Sequence, residues 1–265
     1  MATRSTLRGG DEKPAPRPRA FRPTLRPMQT PPALLQRLRA RADMAPGRRR
    51  LVVLLPQLGD FDSLEYGQAL AEALPRLQTA DIGLLAIAIG NQRGAERFCT
   101  YTGFPASCLE VDAEPSLHRA LDLYPGVRHP TGPWPSLLLM CAGVGSPGTL
   151  AEVLRGYSGD RGAPQRLRAP LFALAGGEGF LRPFELATVR LANMVEVLGH
   201  WRTYVPRDDF LCQRGGTFLL DADDSVLVEH RDPGILGFSA TMARPLSFLE
   251  PYWPAPAPGV AAGAT

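Results

Sequence analysis

The chain has 265 residues, 45% of them apolar and 21% charged, which suits one large domain with a real core plus tails. Its formal charge of +3 is unevenly placed: residues 1–50 hold twelve Arg and Lys13 against Asp11, Glu12 and Asp43, a net +10, leaving the remainder at −7. Lys13 is the sole lysine, so a Schiff base or a lysine general base is excluded from the folded part.

Cys99, Cys108, Cys141 and Cys212 have no CxxC spacing, and no signal-peptide pattern begins the chain. Reduced thiols are expected, in a protein that is cytoplasmic or peripherally attached to an internal membrane. The longest apolar runs, Leu51 to Leu55 and Leu137 to Ala142, fall far short of the roughly 20 residues of a membrane span.

Residues 1–45 read as a basic arm, largely disordered because Pro, Arg and small residues cannot offset ordering entropy. Within it, Pro32 to Leu38 predicts a short basic helix that either packs on the body or binds a partner. The arm would seek an anionic surface, and a protein partner is expected. A domain over residues 46–250 follows, and 251–265 is a loose Pro/Ala/Gly tail.

The body opens on the apolar run Leu51 to Leu55, cut by Pro56 and Gly59, with Asp60 to Ser63 as cap-type residues for a helix carrying Leu64, Leu70 and Leu74. A helix N-terminus of this kind stabilises a thiolate in thioredoxin-type redox turns. Ile82 to Gly90 is an unbroken apolar run suited to a strand buried on both faces and parallel to the first. A helix from Asn91, stopped at Gly103, leads to a short strand at Cys108 to Asp112 and a brief helix at Ser116 to Leu123. Leu137 to Ala142 and Thr149 to Tyr157 read as a further strand and helix. The clearest helix spans about Pro183 to His200, with Leu186, Val189 or Arg190, Met194, Val197 and Trp201 near the helical repeat. Gly215 to Asp221 and Ser225 to His230, joined by an acidic turn, make an antiparallel hairpin. Alternating strands and helices specify an α/β layer structure.

Strand, turn and helix, a second strand, a helix, a strand ending in Val111-Asp112 and a hairpin led by Gly215-Gly216-Thr217-Phe218 together resemble the peroxiredoxin-like, alkyl hydroperoxide reductase/thiol-specific antioxidant branch of the thioredoxin superfamily. The similarity covers about 48–110 and 210–235, with 125–205 as a helical insertion. It implies a thioredoxin-like fold with a central mixed sheet, and thiol-based reduction of peroxides or disulfides. No cofactor and no metal is expected. Where such proteins carry Gly-Cys-x-x-Cys, this chain reads Gly59-Asp60-Phe61-Asp62-Ser63, so Asp60 and Ser63 stand at the thiol positions. A serine oxygen cannot replace a thiolate as peroxide nucleophile.

Other candidates are weaker. Asp60, Asp62 and Ser63 are expected to cap the helix rather than hold a cation. Cys212, Cys99 and Cys141 are candidate redox thiols elsewhere: Cys212 lies near Arg214, which would favour its thiolate, while Asp208 and Asp209 oppose this. Cys99 and Cys108 flank one loop and could approach each other, with burial of Cys99 the favoured reading. Gly143, Gly145 and Gly148 match G-x-G-x-x-G before a helix, but the acidic residue about 20 positions on is missing. Anion binding there with Arg155 is the residual functional reading, a structural turn the favoured one. Nucleic-acid binding is not expected, since Leu219 and Leu220 break the pattern of exposed aromatic and basic residues. The expected role is a binding or scaffolding module without the redox dithiol; the alternative is an oxidoreductase using a cysteine outside the turn.

Overall fold

The computed structural model describes residues 28–126, 182–232 and 245–253. A six-stranded mixed sheet runs in the order β1-β6-β5-β2-β3-β4. Its strands are β1 (Met28–Gln29), β2 (Arg49–Gln57), β3 (Ile82–Ile89), β4 (Leu109–Asp112), β5 (Gly216–Leu220) and β6 (Ser225–Arg231). β2, β3 and β4 are mutually parallel, whereas β5 runs antiparallel to β2, and the β5/β6 hairpin continues to β1.

Every residue of β3 is buried, as its unbroken apolar run requires of a strand covered on both faces. Alternation divides the core. Leu51, Val53 and Leu55 of β2 join one cluster with Leu64, Leu70 and Phe98, while Val52 and Leu54 face a second with Leu34, Leu38, Leu117 and Phe218. On the first face lie α2 (Phe61–Thr79), α3 (Gln92–Thr102) and α5 (Arg182–Gly199), with the single turn α6 (Trp201–Tyr204) following. On the second lie α1 (Pro32–Arg39) and α4 (Ser116–Ala120). Asn91 caps α3 by accepting from the Gly94 N–H at 2.9 Å, and Gly103, at φ +73°, ends it.

The basic helix of the N-terminal region packs on the body. Leu34 and Leu38 of α1 are buried, and Arg37 pairs with Glu110 at 2.7 Å and Asp112 at 2.8 Å. Arg41, Arg48, Arg49 and Arg50 likewise pair with Glu110, Asp81, Asp221 and Asp224. Much of the positive charge between residues 28 and 50 is thus matched by acids of the fold. The strand and helix read at 137–142 and 149–157 lie outside the described residues, as do Gly143, Gly145, Gly148, Arg155 and Cys141.

Candidate functional site

The turn from β2 into α2 is set by packing as well as by caps. Gly59 lies so close to Val205 and Tyr204 that a Cβ there would collide with them, which explains glycine between strand and helix. Asp60 is the N-cap of α2, its Oδ1 accepting from the Asp62 N–H at 3.0 Å. Its other oxygen, Oδ2, accepts from Nη1 of Arg214 at 2.8 Å. Both side chains are buried, Arg214 to 2% exposure and Asp60 to 8%. Asp62 Oδ2 lies 3.9 Å from Nη2 of the same guanidinium.

Arg214 is held from behind by its own segment. Its N–H donates to the Tyr124 carbonyl at 2.9 Å, and the Gln213 side chain donates to the same carbonyl at 3.1 Å. Burial opposes the guanidinium charge, but Asp60, Asp232 and Asp62 outweigh it and hold the Arg214 pKa above its usual value. Asp232, also buried, accepts from the Gly215 N–H at 3.2 Å and lies 3.2 Å from Nε2 of His230. Burial raises its pKa against the opposing pull of His230 and Arg214. Tyr66 of α2 and Thr217 of β5 are 3.4 Å apart through their hydroxyls, and burial pushes the Tyr66 phenol upward. A polar layer thus runs from the α2 N-terminus across β5 to the end of β6.

Ser63 departs from the expected capping role. It lies inside the first turn of α2, fully buried, and among the described residues its Oγ has no hydrogen-bond partner. Asp60 alone of the two supplies the cap. Arg214 turns Nη1 of its side chain to Asp60. The aspartate of the turn is therefore brought to an arginine that spacing alone could not connect, since 154 residues separate Arg214 from Asp60.

Cys99 lies on α3 and Cys108 just before β4. Cys99, on α3, is half-buried, and burial with repulsion from Cys108 pushes its pKa up to about 11. Burial also raises the Cys108 thiol, against a contact from Ser107 Oγ at 3.9 Å and the nearby Arg41. Neither is poised as a thiolate at neutral pH. Both are free thiols. Cys212 is half-buried and lies against Gly126, where a Cβ would strike its side chain and backbone. Of the histidines, His118 is buried and donates from Nε2 to the Leu55 carbonyl at 2.7 Å; burial pulls its pKa down to about 4. It serves packing. Among the described residues no cluster of three or more His, Cys, Asp or Glu could hold a metal ion, and no helix is long and apolar enough to cross a membrane.

A family model described as AhpC/TSA antioxidant enzyme matches residues 69–234, more than half of the chain. The chain belongs to the AhpC/TSA antioxidant family. Its fold is accordingly thioredoxin-like, with the mixed sheet and flanking helices described above. No curated protein and no solved structure matches the chain. The match begins after the turn at Gly59 to Ser63, so the chemistry of the turn rests on its own residues. In this AhpC/TSA chain the N-terminus of α2 faces a carboxylate, not a sulfur, and a buried guanidinium neutralises it.

Proposed function

We propose that this AhpC/TSA-family protein has lost the redox dithiol of the β2/α2 turn and works as a binding or scaffolding module. The observation that carries the reading is the Asp60–Arg214 pair. A helix N-terminus and a buried cation are the two devices that stabilise a thiolate, and here both are engaged by the carboxylate of Asp60. Ser63, at the other thiol position, offers an oxygen of far higher pKa than a sulfur and no route up the sulfur oxidation ladder. The raised thiols of Cys99 and Cys108 add to this reading.

The partner is an acidic protein surface engaged by the N-terminal region. Residues 1–27 carry six Arg and Lys13 against Asp11 and Glu12, and unlike Arg37 to Arg50 they precede the first strand of the fold. Such an arm steers and holds an anionic partner in a salt-dependent manner. The protein acts in the cytoplasm or on the face of an internal membrane.

The alternative oxidoreductase would work through Cys212, which is half-buried and two residues from the arginine of the turn. Steady-state assays of the full chain with hydrogen peroxide, an organic hydroperoxide and a disulfide, each with dithiol reductants, separate the two readings. Turnover no faster than that of a variant lacking all four cysteines is expected. Turnover that disappears in Cys212→Ser or Cys99→Ser would overturn the binding-module reading.

A further inference from the structure

The segment that follows α5 closes over the β2/α2 turn. α5 ends at Gly199, which has open space around it, and the chain bends through His200 into the single turn α6. From there Tyr204 and Val205, both fully buried, lie on Gly59 beside Val197 of α5. α6 also rests on the start of α3, where a Cβ at Gly94 would strike the Thr203 carbonyl. Residues 200–207 thus form a strap laid across the place where strand meets helix.

Polar contacts tie the strap at both ends. Across the bend, the Tyr204 hydroxyl donates at 2.8 Å to Glu196 of α5, and Arg97 of α3 braces the same carboxylate with a two-pronged contact at 2.7 and 3.0 Å. At the far end Gln57 of β2 donates from Nε2 to the Arg207 carbonyl at 2.8 Å. The Arg207 side chain reaches Glu114 at 3.2 Å, but both are exposed, and such surface pairs hold little. The apolar hold of the strap consists of Trp201, Tyr204 and Val205.

We infer that residues 200–207 are a gate: the strap swings about Gly199 and His200, opens the β2/α2 turn to solvent without unfolding the sheet, and is latched by the contact of Tyr204 with the Arg97-braced Glu196. The closed state carries a standing cost. Among the described residues Oε1 of Gln57, Oγ of Ser63, and Nε and Nη2 of Arg214 are buried with no hydrogen-bond partner. Water that reaches the turn satisfies such groups, so opening returns part of what it loses in packing. A segment with few apolar contacts over unsatisfied polar groups opens well before the sheet does, and hinges are a few residues at the ends of elements. The Asp60–Arg214 pair would then meet a ligand only in the open state. The inference does not depend on the binding-module reading, since a gate over the turn has the same geometry whether the turn binds or reacts.

Native-state alkylation of the full chain tests it. Two probes, Ser63→Cys in the turn and Val205→Cys on the underside of the strap, are treated with iodoacetamide and read by peptide mass. Both positions are expected to label at one common rate, slower than in urea-unfolded protein. Glu196→Gln, which weakens the latch, is expected to speed both about tenfold. Leu34→Ala, which loosens the opposite face of the sheet, is expected to leave both rates unchanged. Equal acceleration by Leu34→Ala and Glu196→Gln overturns the inference, because labelling then follows global unfolding. Labelling at position 63 with position 205 protected overturns it as well, because the end of α2 then frays beneath a fixed strap. Labelling at the unfolded rate would show that nothing is gated. Amide exchange of the wild type gives a readout that needs no variant: the Tyr204 and Val205 N–H, bonded to the His200 and Trp201 carbonyls at 3.2 and 2.7 Å, are expected to exchange before those of β3. Exchange as slow as that of β3 overturns the gate.

Discussion

Arg214, at the start of the closing hairpin, donates at 2.8 Å to the carboxylate of Asp60, which caps α2 on the far side of the molecule's sequence. Removing one member of a buried ion pair leaves the other charged and unpaired, at a cost of about 3–5 kcal/mol. Arg214→Met is expected to lower unfolding free energy by about that amount, since Asp60 would then be stranded beside Asp62 and Asp232. Asp60→Asn keeps an N-cap acceptor and is expected to cost less. The double variant should recover part of the loss of Arg214→Met, and urea titration of all four proteins checks the coupling. Strict additivity would mean that the two side chains do not act as a pair.

Ser63 presents the reverse case. Among the described residues its buried hydroxyl has no hydrogen-bond partner, and an unsatisfied buried polar group costs about 1–3 kcal/mol. Ser63→Ala is therefore expected to stabilise the fold by about 1 kcal/mol. A denaturation midpoint that falls instead would show that the hydroxyl has work to do in the turn.

His118 makes stability depend on pH. Burial holds its ring pKa at about 4 against an ordinary 6.5, opposed by the hydrogen bond to Leu55 and by Asp112. The folded value is below the unfolded one, so the unfolded chain takes up the proton first. The contribution is complete above about pH 6.5 and is lost as pH falls towards about 4, amounting to about 3 kcal/mol. Urea midpoints measured at pH 7 and pH 4.5 should separate widely in the wild type. In His118→Leu the separation should shrink, although that variant loses a constant amount by leaving the Leu55 carbonyl unpaired.

Two truncations distinguish the arm from the fold. Deleting residues 1–45 removes α1 with buried Leu34 and Leu38, Met44 and the Arg37 and Arg41 ion pairs, and is expected to cost roughly 5 kcal/mol from apolar burial alone. Deleting residues 1–27 spares all of these. Its thermal midpoint should stay near that of the wild type while association with an acidic protein partner weakens, and the difference should vanish at high salt. Equal partner affinity for the shorter truncation and the full chain at low salt would remove the arm from binding.

The framework was legible wherever local pattern carries it. The apolar runs of β2 and β3, the cap at Asp60, the stop at Gly103 and the acidic turn of the hairpin all advertise themselves within a few residues. β1 did not, because two residues have no periodicity; Met28 and Gln29 are a strand only through pairing with Val226 and Ser225. The Asp60–Arg214 contact was hidden for the same reason, being a product of β5 lying beside β2. The repeat of α5 did disclose its inward face: Val197 is buried and Val189, Met194 and Trp201 are half-buried, while Leu191, Val195 and Leu198, which stand off that repeat, face out; the partners that Asn193 and Glu196 find on α2 and α3 were hidden, because they lie on other helices.

The position of β1 at the sheet edge beyond β6 has a consequence for biosynthesis. Among the described residues β1 pairs only with β6, which follows it nearly two hundred residues later by the pairing of Met28 with Val226. Through that interval the buried face of α1, with Leu34 and Leu38, lacks the Phe218, Leu220 and Val226 side chains that complete its cluster. An early apolar segment kept waiting for a late one is the kind of exposure that chaperones answer. Moving residues 28–45 to the end of the chain by circular permutation should therefore shorten the wait and raise the soluble yield of the nascent protein.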